Sequence, residues 1–108
     1  RMPTESRVCV ITVAELEAGV LAAPDTASRQ RRLATLQTAA SLQPLTITAA
    51  VASSWAGLRV QLAQAGRVVP VNDLWIAAVA AAHRLAVVTQ DDDFEPLVDL
   101  GLLEVVRV

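Results

Sequence analysis

Asn72-Asp73-Leu74-Trp75-Ile76-Ala77-Ala78-Val79-Ala80-Ala81-Ala82-His83-Arg84 runs into Leu85-Ala86-Val87-Val88-Thr89 and then into Gln90-Asp91-Asp92-Asp93-Phe94-Glu95-Pro96. Three kinds of local structure follow one another here. Apolar residues at helical spacing behind a capping asparagine predict a helix from Asp73 to about Arg84. Leu85–Thr89 is the clearest strand in the chain, and the acidic run after it is a turn with room for a short helix beyond. A helix that leads into an apolar strand ending in carboxylates is an α/β unit. Its polar residues stand at the carboxyl end of the strand, where open sheets form their ligand crevices.

Working outward, Val8-Cys9-Val10-Ile11 has the apolar character of a buried strand. Thr12 reads as the N-cap of a first helix carrying Val13, Leu16, Val20 and Leu21. Pro24-Asp25-Thr26 is a turn that caps a second helix, from about Ala27 to Leu42, with Leu33 and Leu36 facing inward and Pro44 ending it. Leu45-Thr46-Ile47 is a short strand or connector. Thr48 opens a third helix to about Ala65, closed by Gly66 in a left-handed conformation. Val68–Val71 is extended, and Leu103–Val108 is a further strand. Apolar strands alternating with amphipathic helices predict an α/β fold with a mainly parallel sheet flanked by helices, in one domain spanning residues 1–108.

Composition narrows the chemistry. The net charge of −2 supplies no bulk attraction to nucleic acid, so phosphate contact needs a local basic patch. All 9 basic residues are arginine. Without lysine there is no Walker phosphate loop, no Schiff base and no receiver-type phosphoacceptor site. Trp55, Trp75 and Phe94 are the only aromatics, too few for a base-stacking platform. Mean hydropathy is +0.46, yet no apolar run approaches the ~20 residues of a membrane span. One cysteine, Cys9, and a polar start without a signal-peptide pattern are what a cytoplasmic protein is expected to show.

Glu15, Asp73 and Asp91 share one predicted address, each just after a strand or extended segment. Taken singly, each has an ordinary explanation. Thr12-x-x-Glu15 fits a capping box, Asp73 suits a helix dipole, and Asp91-Asp92-Asp93 suits a solvated turn. Taken together they do not cancel so cheaply. Two carboxylates within about 4 Å repel by roughly 4 kcal/mol at an effective dielectric of 20, against about 0.3–1 kcal/mol from a helix end. A converged set must therefore bind a cation or hold protons. All-oxygen ligands without histidine or cysteine favour Mg²⁺ or Mn²⁺, which suits phosphodiester hydrolysis.

Three segments resemble a known family. Ile11-Thr12-Val13-Ala14-Glu15-Leu16-Glu17-Ala18-Gly19 is similar to the strand-to-helix segment of PIN domains. Asn72-Asp73-Leu74-Trp75-Ile76-Ala77-Ala78 is similar to their central Asp-x-x-Ile-Ala-Ala helix, and Val88-Thr89-Gln90-Asp91-Asp92-Asp93-Phe94 to their Thr-x-Asp-x-Asp-Phe turn. Order and spacing agree over essentially the whole chain, and the resemblance is strongest to VapC-type toxins. It implies a three-layer PIN-like fold and an endoribonuclease dependent on Mg²⁺ or Mn²⁺. Partners would be an RNA substrate and a silencing VapB-like antitoxin, in a homodimer or a toxin–antitoxin hetero-oligomer. The implied catalytic and metal-site acids are Glu15, Asp73, Asp91 and Asp93, with Thr89 as a supporting hydroxyl and Asp92 solvated. Another class of function is a catalytically degenerate PIN-like module that binds protein or RNA.

Other residues carry less. His83 falls at the far end of its helix from Asp73, Cys9 reads as core packing, and Trp55 and Trp75 as core or dimer contacts. Arg29, Arg31, Arg32, Arg59 and Arg67 are the candidate phosphate contacts. One element of the family is missing, a first central strand whose aspartate is a principal metal-site acid. The expectation is that the strand and its helix were removed by proteolysis, are unresolved, or lie in another chain as a separate N-terminal segment of the same protein. The span 1–108 alone is then expected to fold poorly and cut nothing. A cooperative melt together with metal-activated cleavage by this span would contradict that.

Overall fold

The computed structural model describes residues 7–108, which divide into two compact units, one through Thr46 and one of Ile47–Val108. The first unit is a helical pair, α1 (Val10–Leu21) packed on α2 (Thr26–Ala40). Its two ends are drawn together by an isolated parallel bridge between Cys9 and Leu45. The Val10 N–H donates to the Leu45 carbonyl at 2.9 Å, and the Leu45 N–H to the Val8 carbonyl at 2.8 Å. A further tie crosses the pair, where the Arg32 guanidinium donates to the Gly19 carbonyl at 2.8 Å.

This unit corrects three sequence expectations. The strand at Val8–Ile11 shrinks to one bridging residue, because α1 takes over at Val10 and the Val13 N–H bonds the Cys9 carbonyl at 3.2 Å. A short apolar run is ambiguous between strand and buried helix, and among the described residues it is bridged by Leu45 alone. Cys9 therefore stands at the N-cap, without a side-chain cap bond, and Thr12 lies inside the helix. In α2, Leu33 is exposed and Leu36 half-buried, while Ala39 is the buried residue. The apolar stripe of that helix is narrow between its arginines, glutamines and threonines. Asp25 does cap it, accepting the Ser28 N–H at 2.7 Å.

The second unit contains α3 (Ala49–Ala65), α4 (Val71–Ala82), β1 (Val87–Thr89), α5 (Glu95–Asp99) and β2 (Val105–Arg107). As expected, Thr48 caps α3 by accepting the Val51 N–H, and Gly66 ends it with φ at 66°. At that angle a side chain would press on the following carbonyl, which is why glycine stands there. Helices α3 and α4 pack on each other, α4 also packs on β1, and α3 on α5. Val51, Leu58 and Leu62 are the buried positions of α3, and Leu74 with Ala77–Ala80 those of α4. Trp55 and Trp75 stack at 4.9 Å between ring centroids, and the Arg59 guanidinium lies 5.6 Å from the Trp55 ring. Leu97 is fully buried and anchors α5.

Strands β1 and β2 pair in parallel, with Val87, Val88 and Thr89 opposite Val105, Val106 and Arg107. The α/β fold with a parallel sheet is thus present, in a small form. The predicted N-cap at Asn72 is displaced, since the Leu74 N–H already bonds the Pro70 carbonyl at 2.9 Å. Pro70 becomes the N-cap and Asp73 the third helical residue. No helix among the described residues is long and apolar enough to cross a membrane.

One titration follows from the α2 cap. The Ser28 N–H, with a smaller contribution from Arg32, holds the Asp25 carboxyl below the ordinary aspartate range. A depressed folded-state pKa means the cap is fully formed at neutral pH and is lost only as the pH falls through that lowered value. The Ser28 amide chemical shift, followed on acidification, is expected to titrate below the ordinary aspartate range. Asp25→Asn is expected to keep the helix start and remove the titration, since asparagine caps equally well.

Candidate metal centre

Helix α4 joins β1 by the short segment 83–86, in which Arg84 takes a left-handed φ of 56°. The helix packs on the strand that follows it. Asp73 is half-buried, whereas Asp91 and Asp93 are exposed.

Side chains, not backbone ladders, shape the acidic turn. Thr89 Oγ1 at the end of β1 accepts the Asp91 N–H at 3.2 Å. Asp91 Oδ1 in turn accepts the Asp93 N–H at 3.1 Å. Each bond reaches two residues on, the Ser/Thr and Asx turn pattern that imitates a backbone turn. Residues 89, 91 and 93 are thereby linked.

Asp92 departs from expectation. Its side chain is 79% exposed, but it is not simply solvated, because Arg107 donates to its Oδ1. The same guanidinium reaches Glu95 Oε1 at 3.3 Å and the Gln90 carbonyl at 3.4 Å. Parallel pairing puts Arg107 opposite Thr89, so a residue from the last strand spans the whole turn. The Asp92 hydrogen bond, with the nearby Asp92 and Glu95 charges, raises the Arg107 pKa further. Sequence reasoning missed this residue, although a register aligning the two strand ends would have signalled it.

Glu15 lies in the other unit, on the exposed side of α1 and beyond its first turn. The capping-box explanation does not survive there, since Thr12 is interior to the helix. His83 is the C-cap of α4, at the opposite end of that helix from Asp73. Of the candidate phosphate-binding arginines, Arg32 is tied to Gly19, Arg31 donates to Ser28 Oγ, and Arg67 pairs with Asp99 at 3.1 Å. Arg59 and Arg67 also line an open, otherwise aliphatic depression of about 310 Å³ beside Leu62 and Leu74, with no acid in its wall.

Among the described residues no three Asp, Glu, His or Cys side chains form a ready-made metal cluster. The donor chemistry still fits a hard divalent ion. Asp73, Asp91 and Asp93 offer only carboxylate oxygens, and the bonds from Thr89 through Asp91 fix the backbone that carries two of them.

Comparison with known proteins places the chain among related sequences and structures. The sequence pattern of the PIN domain matches residues 2–99. The chain is 49% identical over 107 residues to Ribonuclease VapC5 of Mycobacterium tuberculosis, covering 99% of this chain and 79% of that one. It is 43% identical over 98 residues to Ribonuclease VapC4 of the same organism, covering 91% and 75%. Among solved structures, a member of the VapBC family of toxin–antitoxin systems, VapBC-5 from Mycobacterium tuberculosis, is similar with a TM-score of 0.94 and 48% identity. That match covers 99% of this chain and 85% of the other.

Thr89→Val tests the turn. It removes the acceptor of the Asp91 N–H while keeping a β-branched residue in the strand, at a cost of about 1 kcal/mol. Faster amide exchange at Asp91 and Asp93, with Val87 and Val88 unchanged, is the expected result.

Proposed function

The chain belongs to the PIN domain family, and from that premise we propose that it is the ribonuclease toxin of a toxin–antitoxin pair. In this reading it hydrolyses RNA phosphodiester bonds at a Mg²⁺ or Mn²⁺ site. The observation that carries the proposal is the hydrogen-bonded series Thr89, Asp91, Asp93 at the end of β1, the strand on which the Asp73 helix α4 packs. Asp73, Asp91 and Asp93 would hold the ion. The ion, when bound, lowers the pKa of water and steadies a phosphate oxygen.

The residues of this chain supply position and charge. Thr89 fixes the turn, and the carboxylates hold negative charge where the ion is needed. Arg29, exposed near the start of α2, is favoured over Arg32 and Arg67 as a phosphate contact, because those two are engaged within the fold. A VapB-like antitoxin is the proposed partner, laying an apolar helix along this protein's helices, in a hetero-oligomer or with a toxin homodimer. The VapBC assembly among the similar structures supports that choice.

The test is RNA cleavage by the complete protein with Mg²⁺ or Mn²⁺, wild type against Asp73→Asn. The substitution is expected to lower cleavage by more than the roughly 10–100-fold that loss of an outer-shell metal partner costs, without changing the fold by circular dichroism. Equal rates would remove Asp73 from the site. Absence of cleavage by the wild type, with antitoxin binding intact, would favour the degenerate module.

A further inference from the structure

Three consecutive aspartates leave open which carboxylates face a metal ion, and the contacts around them supply an answer. The geometry points to Arg107 as the positioning residue that draws Asp92 to the β2 side and so leaves Asp91 and Asp93 for the ion. This inference rests on the metal-site reading proposed above. Arg107 Nη1 bonds Asp92 Oδ1 and Glu95 Oε1, and Nη2 bonds the Gln90 carbonyl. These partners bracket Asp91 and Asp93 along the chain, while Arg107 makes no bond to either. Two independent hydrogen-bond sets thus act on one turn. Thr89 and Asp91 fold it from within, and Arg107 grips it from the neighbouring strand.

A guanidinium suits this task better than an ammonium, because its planar fork serves several acceptors in fixed directions. The pairing Thr89↔Arg107 and the Val108 N–H bond to the Thr89 carbonyl at 3.1 Å fix the backbone from which the fork reaches. A second ion pair, Arg67 with Asp99, lies outside the turn and provides a control.

Charge and geometry predict opposite signs. Removing a cation beside a metal site should tighten metal binding if charge alone matters. Releasing Asp92 and loosening the turn should weaken it. Mn²⁺ affinity of the complete protein, measured by calorimetry without RNA, separates the two. Arg107→Ala is expected to weaken Mn²⁺ binding by about tenfold, the low end for residues that orient metal ligands. Arg107→Lys keeps the charge and loses the fork, so an intermediate weakening is expected. Arg67→Ala should bind Mn²⁺ like the wild type.

Unchanged or tighter binding in Arg107→Ala overturns the inference. If that variant does not fold, wild-type affinity in Arg107→Lys overturns it instead. Asp91→Asn distinguishes the two levels of the argument. Unchanged Mn²⁺ affinity there overturns the metal-site reading and this inference with it. A weakened Asp91→Asn beside an unaffected Arg107→Ala overturns the positioning role alone.

Discussion

In the second unit, much depends on the parallel register that sets Val87–Thr89 against Val105–Arg107. Parallel strands cannot be joined by a tight hairpin, so the chain must leave the end of β1 and travel back before β2 begins. The acidic turn and α5 occupy that return path, and fully buried Leu97 secures it. The register also brings the ends of both strands side by side, placing a threonine hydroxyl and an arginine at the same edge. The turn between them is then held by side chains from both strands.

That arrangement bears on the charge of the turn. Asp91, Asp92, Asp93 and Glu95 lie within five residues, and an exposed acidic run of that density favours an extended, mobile chain. Here the repulsion is divided. One cation takes Asp92 and Glu95, and the Asp91 carboxylate is partly satisfied by a backbone N–H. Individually such exposed contacts contribute little to stability. Their combined effect is on which conformation the turn adopts.

The sequence made the second unit more legible than the first, for physical reasons. Around α3 each boundary residue has one dominant conformational preference. Thr48 accepts a helix-start N–H, and Gly66 tolerates a positive φ. The helix–strand–acid series of residues 71–93 is long and strongly patterned, and its elements appear in the expected order. At Val8–Ile11 the pattern was four apolar residues, which do not distinguish a strand from a helix start. In the structure one bridge from Cys9 to Leu45 is what the run contributes as extended chain, and α1 takes the rest. The start of α4 moved because Pro70 offers a carbonyl and a fixed φ, and these outweigh the capping preference of Asn72. Candidate acids could be read from residue type and position. Arg107 could not, because its role depends on strand register, a long-range property that no local pattern encodes.

The stacked tryptophans have a practical consequence for observing this molecule. Trp55, Trp75 and Phe94 are all the aromatic residues of the chain, and all three lie in Ile47–Val108. Near-ultraviolet absorption and intrinsic fluorescence therefore report on that unit alone. A coupled indole pair 4.9 Å apart is sensitive to small changes in the contact between α3 and α4. The helical pair that carries Glu15 is optically silent, and its unfolding is visible only to methods that follow the backbone. Disagreement between fluorescence and far-ultraviolet melting curves would then locate which half of the chain yields first.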